Sequence, residues 1–241
     1  LADIEAAIKP DDPHFARTRL LALENTLGGK VIPAGYIEQV ASLARREGLA
    51  VHLDGARLFN AAVAQAASTL AGHSAIPAQS ALGEARRIAS HFDSVSVCFS
   101  KGLGAPAGSA LCGSRELVAR ARRIRKMAGG AMRQAGLLAA AASHALDHHI
   151  DRLADDHALA RRLAEGLGDI DGLMVQAPQT NIVFADLVGA ARERSSELLA
   201  ALAADGVLAT GLYRLRFVTH LDVDAAGVDR AVAAVRRFFG A

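Results

Sequence analysis

Cysteine is nearly missing: the 241 residues contain only Cys98 and Cys112, which argues against a secreted disulfide scaffold and fits a reducing, cytoplasmic setting. Long apolar runs are missing as well. None reaches the roughly 18–20 residues that span a bilayer, and no basic-then-apolar leader opens the chain, so neither a membrane span nor an export signal is expected. Charge of one sign is barely in excess. The 27 Lys and Arg against 25 Asp and Glu leave a formal +2, too little to steer an anionic polymer by long-range field, and nucleic acid is not an expected partner. Fixed-period repeats, low-complexity tracts and heptad seams do not occur. What is present is a chain 51% hydrophobic and 22% charged, the composition of a soluble globular protein rather than a disordered one. At about 150 residues per domain it has room for one to two. It begins on Leu1, and LADIEAAIKPDD (1–12) reads as the end of a helix entering a proline-containing loop, which suggests a fragment.

From Phe15 onward, strand-like and helical stretches alternate in the manner of parallel βαβ units. RTRLLALE (17–24), LAVHLD (49–54) and SVSVCFS (94–100) are compact apolar runs expected as strands, and SALCG (109–113) reads as a short returning strand. Between them, Pro33 precedes a helical pattern of Ile37, Val40, Ala41 and Ala44 that Gly48 ends. A second helix is expected from about Phe59 to Ala71. The stretch GHSAIPAQSALGEA (72–85), punctuated by Gly and Pro, reads as a loop or insertion. After Ser114 a basic helix, RELVARARRIRKM, stops at Gly129-Gly130, and a long Ala-rich helix is expected from about Arg133 to Leu153. The remainder mixes helices near 155–166, 193–204 and 223–239 with strands at 174–176, 181–186 and 214–219, an α+β pattern. The expected organisation is a mostly parallel α/β domain over 1–145 and a smaller α+β domain over 146–241.

In open parallel sheets ligands bind outside the carboxyl ends of the strands, where Asp54 and Lys101 both fall. Singly, an Asp or Lys there is ordinarily just solvated. Together they fit one chemistry. A lysine between Ser100 and Gly102 has little bulk beside its amine, as Schiff-base chemistry requires. Pyridoxal phosphate needs such a lysine and an anionic partner for its pyridinium nitrogen, which Asp54 could supply.

The blocks LENTLGGKVIP (23–33), HLDGARLFNA (52–61), FSKGLGAPAGS (99–109), RKMAGGAMRQAG (125–136) and RFVTHLD (216–222) together resemble the low-specificity L-threonine aldolases, which are fold type I, aspartate-aminotransferase-like pyridoxal-phosphate enzymes. The resemblance covers nearly the whole chain except about 70–85. It implies Lys101 as the lysine bonded to the cofactor, Asp54 as the pyridinium partner, and Arg57 and Arg216 as the pair of guanidinium groups for the substrate carboxylate, a task suited to a planar fork of donors. It also brings Lys126 near the active site. Read without the family, Arg57 is a surface ion pair, and Arg216 lies inside an apolar strand. The chain departs from the family at Leu27, where a histidine is common. The family's chains also run about a third longer at the N-terminus. That part carries the Gly-Thr phosphate loop, a histidine stacked on the ring and another near the substrate hydroxyl, so the phosphate-binding residues are expected upstream of Leu1.

The implied reaction is reversible cleavage of L-threonine or L-allo-threonine to glycine and acetaldehyde, with a small β-hydroxy-amino-acid substrate and a homodimer or homotetramer as the assembly. The rival readings are another fold type I enzyme, either a β-eliminating lyase or an aminotransferase-like protein, and a non-catalytic remnant. Other features read more plainly. GLGAPAG (102–108) lacks the Gly-Lys-Ser/Thr of a phosphate loop, and RARRIRK (120–126) reads as an exposed helix face or subunit contact. His144 and His148, with Asp147 and Asp151, read as a solvated face, and no metal is expected. Cys98 and Cys112 are expected as small buried residues.

Overall fold

The computed structural model describes residues 1–69, 78–211 and 213–240. Strands β1 (Leu20–Glu24), β2 (Ala50–Gly55) and β3 (Ser94–Cys98) run parallel, and β4 (Ser109–Gly113) returns antiparallel along β3, giving the order β1-β2-β3-β4. Register aligns Glu24 with Asp54 and Asp54 with Ser96, so the three strands end near one another on the same side of the sheet. After a short α1 (Ala2–Ala7), the helices feeding this sheet are α2 (Ala34–Arg46), α3 (Leu58–Thr69) and α4 (Ala78–Ala89). Alternation along the strands turns Leu53, Val95 and Val97 onto one face, where they meet Ile37, Leu58, Ala62 and Ile88 from the helices. The 3.6-residue spacing of Ile37, Val40, Ala41 and Ala44 makes one buried stripe on α2.

Two expectations are corrected here. Residues 78–85, read as loop, belong to α4, whose buried Ala81, Ala85 and Ile88 recur at i, i+4 and i+7. Gly83 is tolerated because it faces open space; residues 70–77 of the expected insertion lie outside the described residues. The Ala-rich helix does not run unbroken to Leu153. It ends as α6 (Gly136–His148), and α7 (Leu153–Leu167) starts after a turn in which Ile150 folds inward. Before it, α5 (Arg115–Met127) is capped by the Ser114 hydroxyl, which accepts the Leu117 N–H at 3.1 Å. It buries no residue, as the basic run led one to expect.

The second sheet is antiparallel, in the order β5 (Leu173–Val175), β6 (Ile182–Leu187), β7 (Arg214–Val218). It is covered by α7, α8 (Ser195–Ala204) and α9 (Ala225–Phe239), with a 3-10 turn at Gly189–Arg194. Its core has separate membership, built on Leu163, Leu167, Val183, Leu198, Leu215 and Val235. Helices α7 and α9 approach so closely that a Cβ on Gly166 would sit 2.6 Å from Val232. A further cluster of Val63, Leu103, Ala105, Ala145, Ile150 and Leu153 fastens the α6–α7 turn to the first sheet's side. Among the described residues no helix is long and apolar enough to cross a membrane.

Where α3 meets α7 the apolar contact is joined by a buried polar one. The Asn60 amide donates to His157 Nε2 at 3.2 Å, with both residues buried (2% and 4% exposed). Burial, and secondarily the charge of Arg161, pushes the imidazole down from 6.5 to about 4. The unfolded chain therefore takes up this proton near pH 6.5 while the folded chain resists until about pH 4. Stability is then complete above pH 6.5 and falls as pH drops through that window, by something on the order of 3 kcal/mol. His157→Gln, which keeps an acceptor for Asn60, is expected to flatten this part of the profile. Urea midpoints measured from pH 4 to 7 check it, and parallel curves for the two proteins would show that His157 does not carry the effect.

Candidate active site

Lys101 follows β3 by three residues, in a turn that closes when the Gly104 N–H donates to the Lys101 carbonyl at 2.9 Å and the Ala105 N–H to that of Phe99 at 2.9 Å. Its neighbours Leu103 and Ala105 point into the core, which leaves the lysine side chain exposed. The turn borders a cleft of about 470 Å³. One wall carries Arg57, Ser100 and Lys101 from the loops of the first sheet, and the other carries Asn181, Arg216 and His220 from the second. A strand-end lysine and two arginines, separated by up to 159 positions in sequence, thus share one cleft.

The electrostatics of the arginine pair are unusual for a structural contact. Arg57 lies in the turn between β2 and α3, and its Nε is buried with no hydrogen-bond partner. Burial pushes its guanidinium below the ordinary value and the like charge of Arg216 pushes it further, against weaker opposing effects of Cys98 and Glu24. Two half-buried cations repel one another across the cleft, and an anion between them would reverse the sign of that interaction. Arg216 itself is fixed by the backbone. It pairs with Phe184 across β6 and β7, and its N–H donates to the Thr210 carbonyl at 2.8 Å.

Asp54 stands at the end of β2, exposed, with Oδ1 accepting the Ala56 N–H at 3.0 Å. It stands opposite Ser96 of β3 and is not among the residues lining the cleft with Lys101. Lys126 is exposed near the end of α5 and does not line it either. Sequence reasoning missed Asn181, which is 1% exposed, donates through Nδ2 to the Thr219 carbonyl at 2.9 Å, and leaves Oδ1 without a partner. The available signal was an amide opening the apolar run NIVFAD. It also missed His149, whose Nδ1 lies 2.6 Å from the Leu103 carbonyl.

The cysteines depart from expectation. Cys98 is half-buried and Cys112 exposed, because β4 is an edge strand with little packed against it. The His144 and His148 rings lie 4.4 Å apart, and no group of three potential metal ligands forms among the described residues.

Comparison with known proteins sets this geometry in a family. The chain is 41% identical to the low specificity L-threonine aldolase of Escherichia coli K12 over 238 residues, covering 99% of this chain and 66% of that protein. It is 39% identical to a probable low-specificity L-threonine aldolase 2 of Arabidopsis thaliana, covering 98% and 64%. The chain thus spans just under two thirds of the length of these curated relatives. Among solved structures, threonine aldolase from Leishmania major superposes with a TM-score of 0.76 at 22% identity over 99% of this chain and 66% of that one. Serine palmitoyltransferase from Sphingomonas wittichii does so with a TM-score of 0.63 at 18% identity, covering 93% and 56%. At those identities the likeness is one of fold, the fold type I architecture, and it spans more than one chemistry. Residues 1–190 match the beta-eliminating lyase family, and the chain belongs to that family.

Proposed function

We propose that this chain carries the catalytic lysine and carboxylate-binding arginines of a pyridoxal-phosphate enzyme that reversibly cleaves L-threonine or L-allo-threonine to glycine and acetaldehyde. The observation that carries the reading is the cleft that Lys101 shares with Arg57 and Arg216, two partly buried guanidinium groups whose like charges act on one another. The residue types match what the cofactor needs. Lys101 would hold it covalently, and Asp54, whose exposed carboxylate stands at the neighbouring strand end, would keep its ring nitrogen protonated. When bound, the cofactor supplies a sink for the electron pair released from the Cα–Cβ bond. Arg57 and Arg216 bind the substrate carboxylate, and by holding it they select which bond at Cα stands ready to break. The similarity to low-specificity L-threonine aldolases favours cleavage of that bond and a small β-hydroxy amino acid as substrate.

A division into a cofactor-binding unit over 1–145 and a smaller unit over 146–241 accompanies this reading, with a cytoplasmic homodimer or homotetramer as the working form. The carboxylate role is tested by Arg216→Ala in the full-length gene product. A charge-assisted hydrogen bond is worth about 1.5–3 kcal/mol, so KM for L-threonine is expected to rise roughly tenfold or more, while cofactor content measured by absorbance stays unchanged. Unchanged substrate saturation would move the carboxylate site elsewhere.

A further inference from the structure

We infer that His149 and Asn60 are positioning residues that set where the Lys101 turn sits; the inference rests on the proposed role of Lys101. Three backbone hydrogen bonds, Gly104 N–H to the Lys101 carbonyl, Ala105 N–H to that of Phe99 and Phe99 N–H to that of Gly108, fix the turn's internal shape and its join to β3 and β4. They do not fix its place relative to the rest of the cleft. Leu103 and Ala105 bury their side chains in the cluster with Ala145 and Leu153, but apolar contacts are non-directional and leave rotation about the chain axis free.

One directional contact, from His149, and one close packing contact, with Asn60, supply the remainder. His149 caps α6 just where the helix breaks, and its Nδ1 lies 2.6 Å from the Leu103 carbonyl oxygen, two residues from Lys101. Facing an oxygen that can only accept, Nδ1 carries the proton. On the other flank Gly102 is pressed against α3 and α7. A Cβ there would stand 2.8 Å from Leu153 Cδ2 and 3.0 Å from Asn60 Oδ1, so a larger residue beside the lysine would force Leu153 or Asn60 to shift. Asn60 is in turn held by the buried His157. Because burial keeps His157 neutral down to about pH 4, its Nε2 accepts from Asn60 throughout the working range. Gly102 and Leu103, the two residues that follow Lys101, are therefore held from α3 and α7 and from the α6–α7 turn. A displacement of about 1 Å at a reacting group costs on the order of a hundredfold in rate, so such a grip matters to the chemistry.

The test follows the rate at which pyridoxal phosphate becomes bonded to Lys101 in the full-length gene product, trapped with borohydride and quantified by peptide mapping. His149→Ala is expected to slow labelling of Lys101 roughly tenfold or more, and His149→Asn, whose side-chain N–H can take the place of Nδ1–H, to restore it to within about threefold. A structural role alone would lower the melting temperature of the alanine variant and leave its labelling rate at the wild-type value, which would overturn the inference. So would an asparagine variant that folds and labels as slowly as alanine. Should His149→Ala fail to fold, Asn60→Ala carries the same expectation of slowed labelling, and a normal rate there contradicts it. Wild-type protein labelled at another lysine overturns the functional reading itself. Wild-type labelling at Lys101 with unaffected variants removes only the positioning role.

Discussion

Lys101→Ala in the full-length protein is expected to lower glycine release from L-threonine by roughly a thousandfold or more, the scale on which loss of a covalent catalytic group is felt. The expectation has a structural side. Lys101 projects from a turn whose neighbours Gly102, Leu103 and Ala105 are all buried, while its own side chain is exposed, so the substitution removes the amine without opening a cavity. Surface substitutions of that kind change stability by about 0.5 kcal/mol or less. Activity and stability should therefore separate, with the variant unfolding at nearly the wild-type temperature. Borohydride reduction of the wild-type enzyme followed by peptide mapping should place the label on Lys101. A label on Lys126, out on α5, or on Lys30 would overturn the assignment, as would an alanine variant that retains substantial turnover.

Asp54→Asn should reduce kcat by roughly a hundredfold or more, the usual loss when a preorganised charge is replaced by its neutral isostere. Here too the local structure makes the experiment clean. The present role of the carboxylate within the chain is to accept the Ala56 N–H at 3.0 Å through Oδ1, and an asparagine oxygen can accept the same bond. The turn leading into α3, and with it Arg57, should stay in place. What the amide cannot do is hold a ring nitrogen protonated, so the variant should bind the cofactor and turn over slowly. Near-normal turnover, measured as glycine formed at saturating threonine, would refute the role. Collapse of the fold would show that the carboxylate serves the β2–α3 turn instead.

Much of this was legible in the chain, for identifiable reasons. The runs around Leu53 and Val95 alternate strictly and are followed by helical stripes, so the parallel order of β1, β2 and β3 and the strand-end placement of Asp54 and Lys101 could be read from periodicity. Arg57 and Arg216 could not be joined that way. One is in a loop of the first sheet, the other in a strand of the second, and only family resemblance paired them before the cleft did. Helix α4 was obscured because Pro77 and Gly83 punctuate a stretch whose apolar stripe is made of small alanines. The break between α6 and α7 was hidden for the opposite reason: Ala-rich sequence continues helical character to Leu153, and the interruption comes from tertiary demands, with Ile150 seeking the core and His149 bonding to the Leu103 carbonyl. Cys112 looked buried because its run is apolar, yet the edge position of β4 leaves it uncovered. Buried amides such as Asn60 and Asn181 carry no periodic signal at all. Their meaning lies in partners more than 30 positions away.

Family membership admits both cleavage of the Cα–Cβ bond and elimination at Cβ, and the products divide the two. The decisive measurement is a product analysis of the cofactor-loaded, full-length protein incubated with L-threonine. Glycine and acetaldehyde in equal amounts, lost together in the Lys101→Ala variant, are the expected result. Formation of 2-oxobutyrate and ammonia without glycine would contradict the proposed reaction and assign the Lys101 cleft to elimination instead.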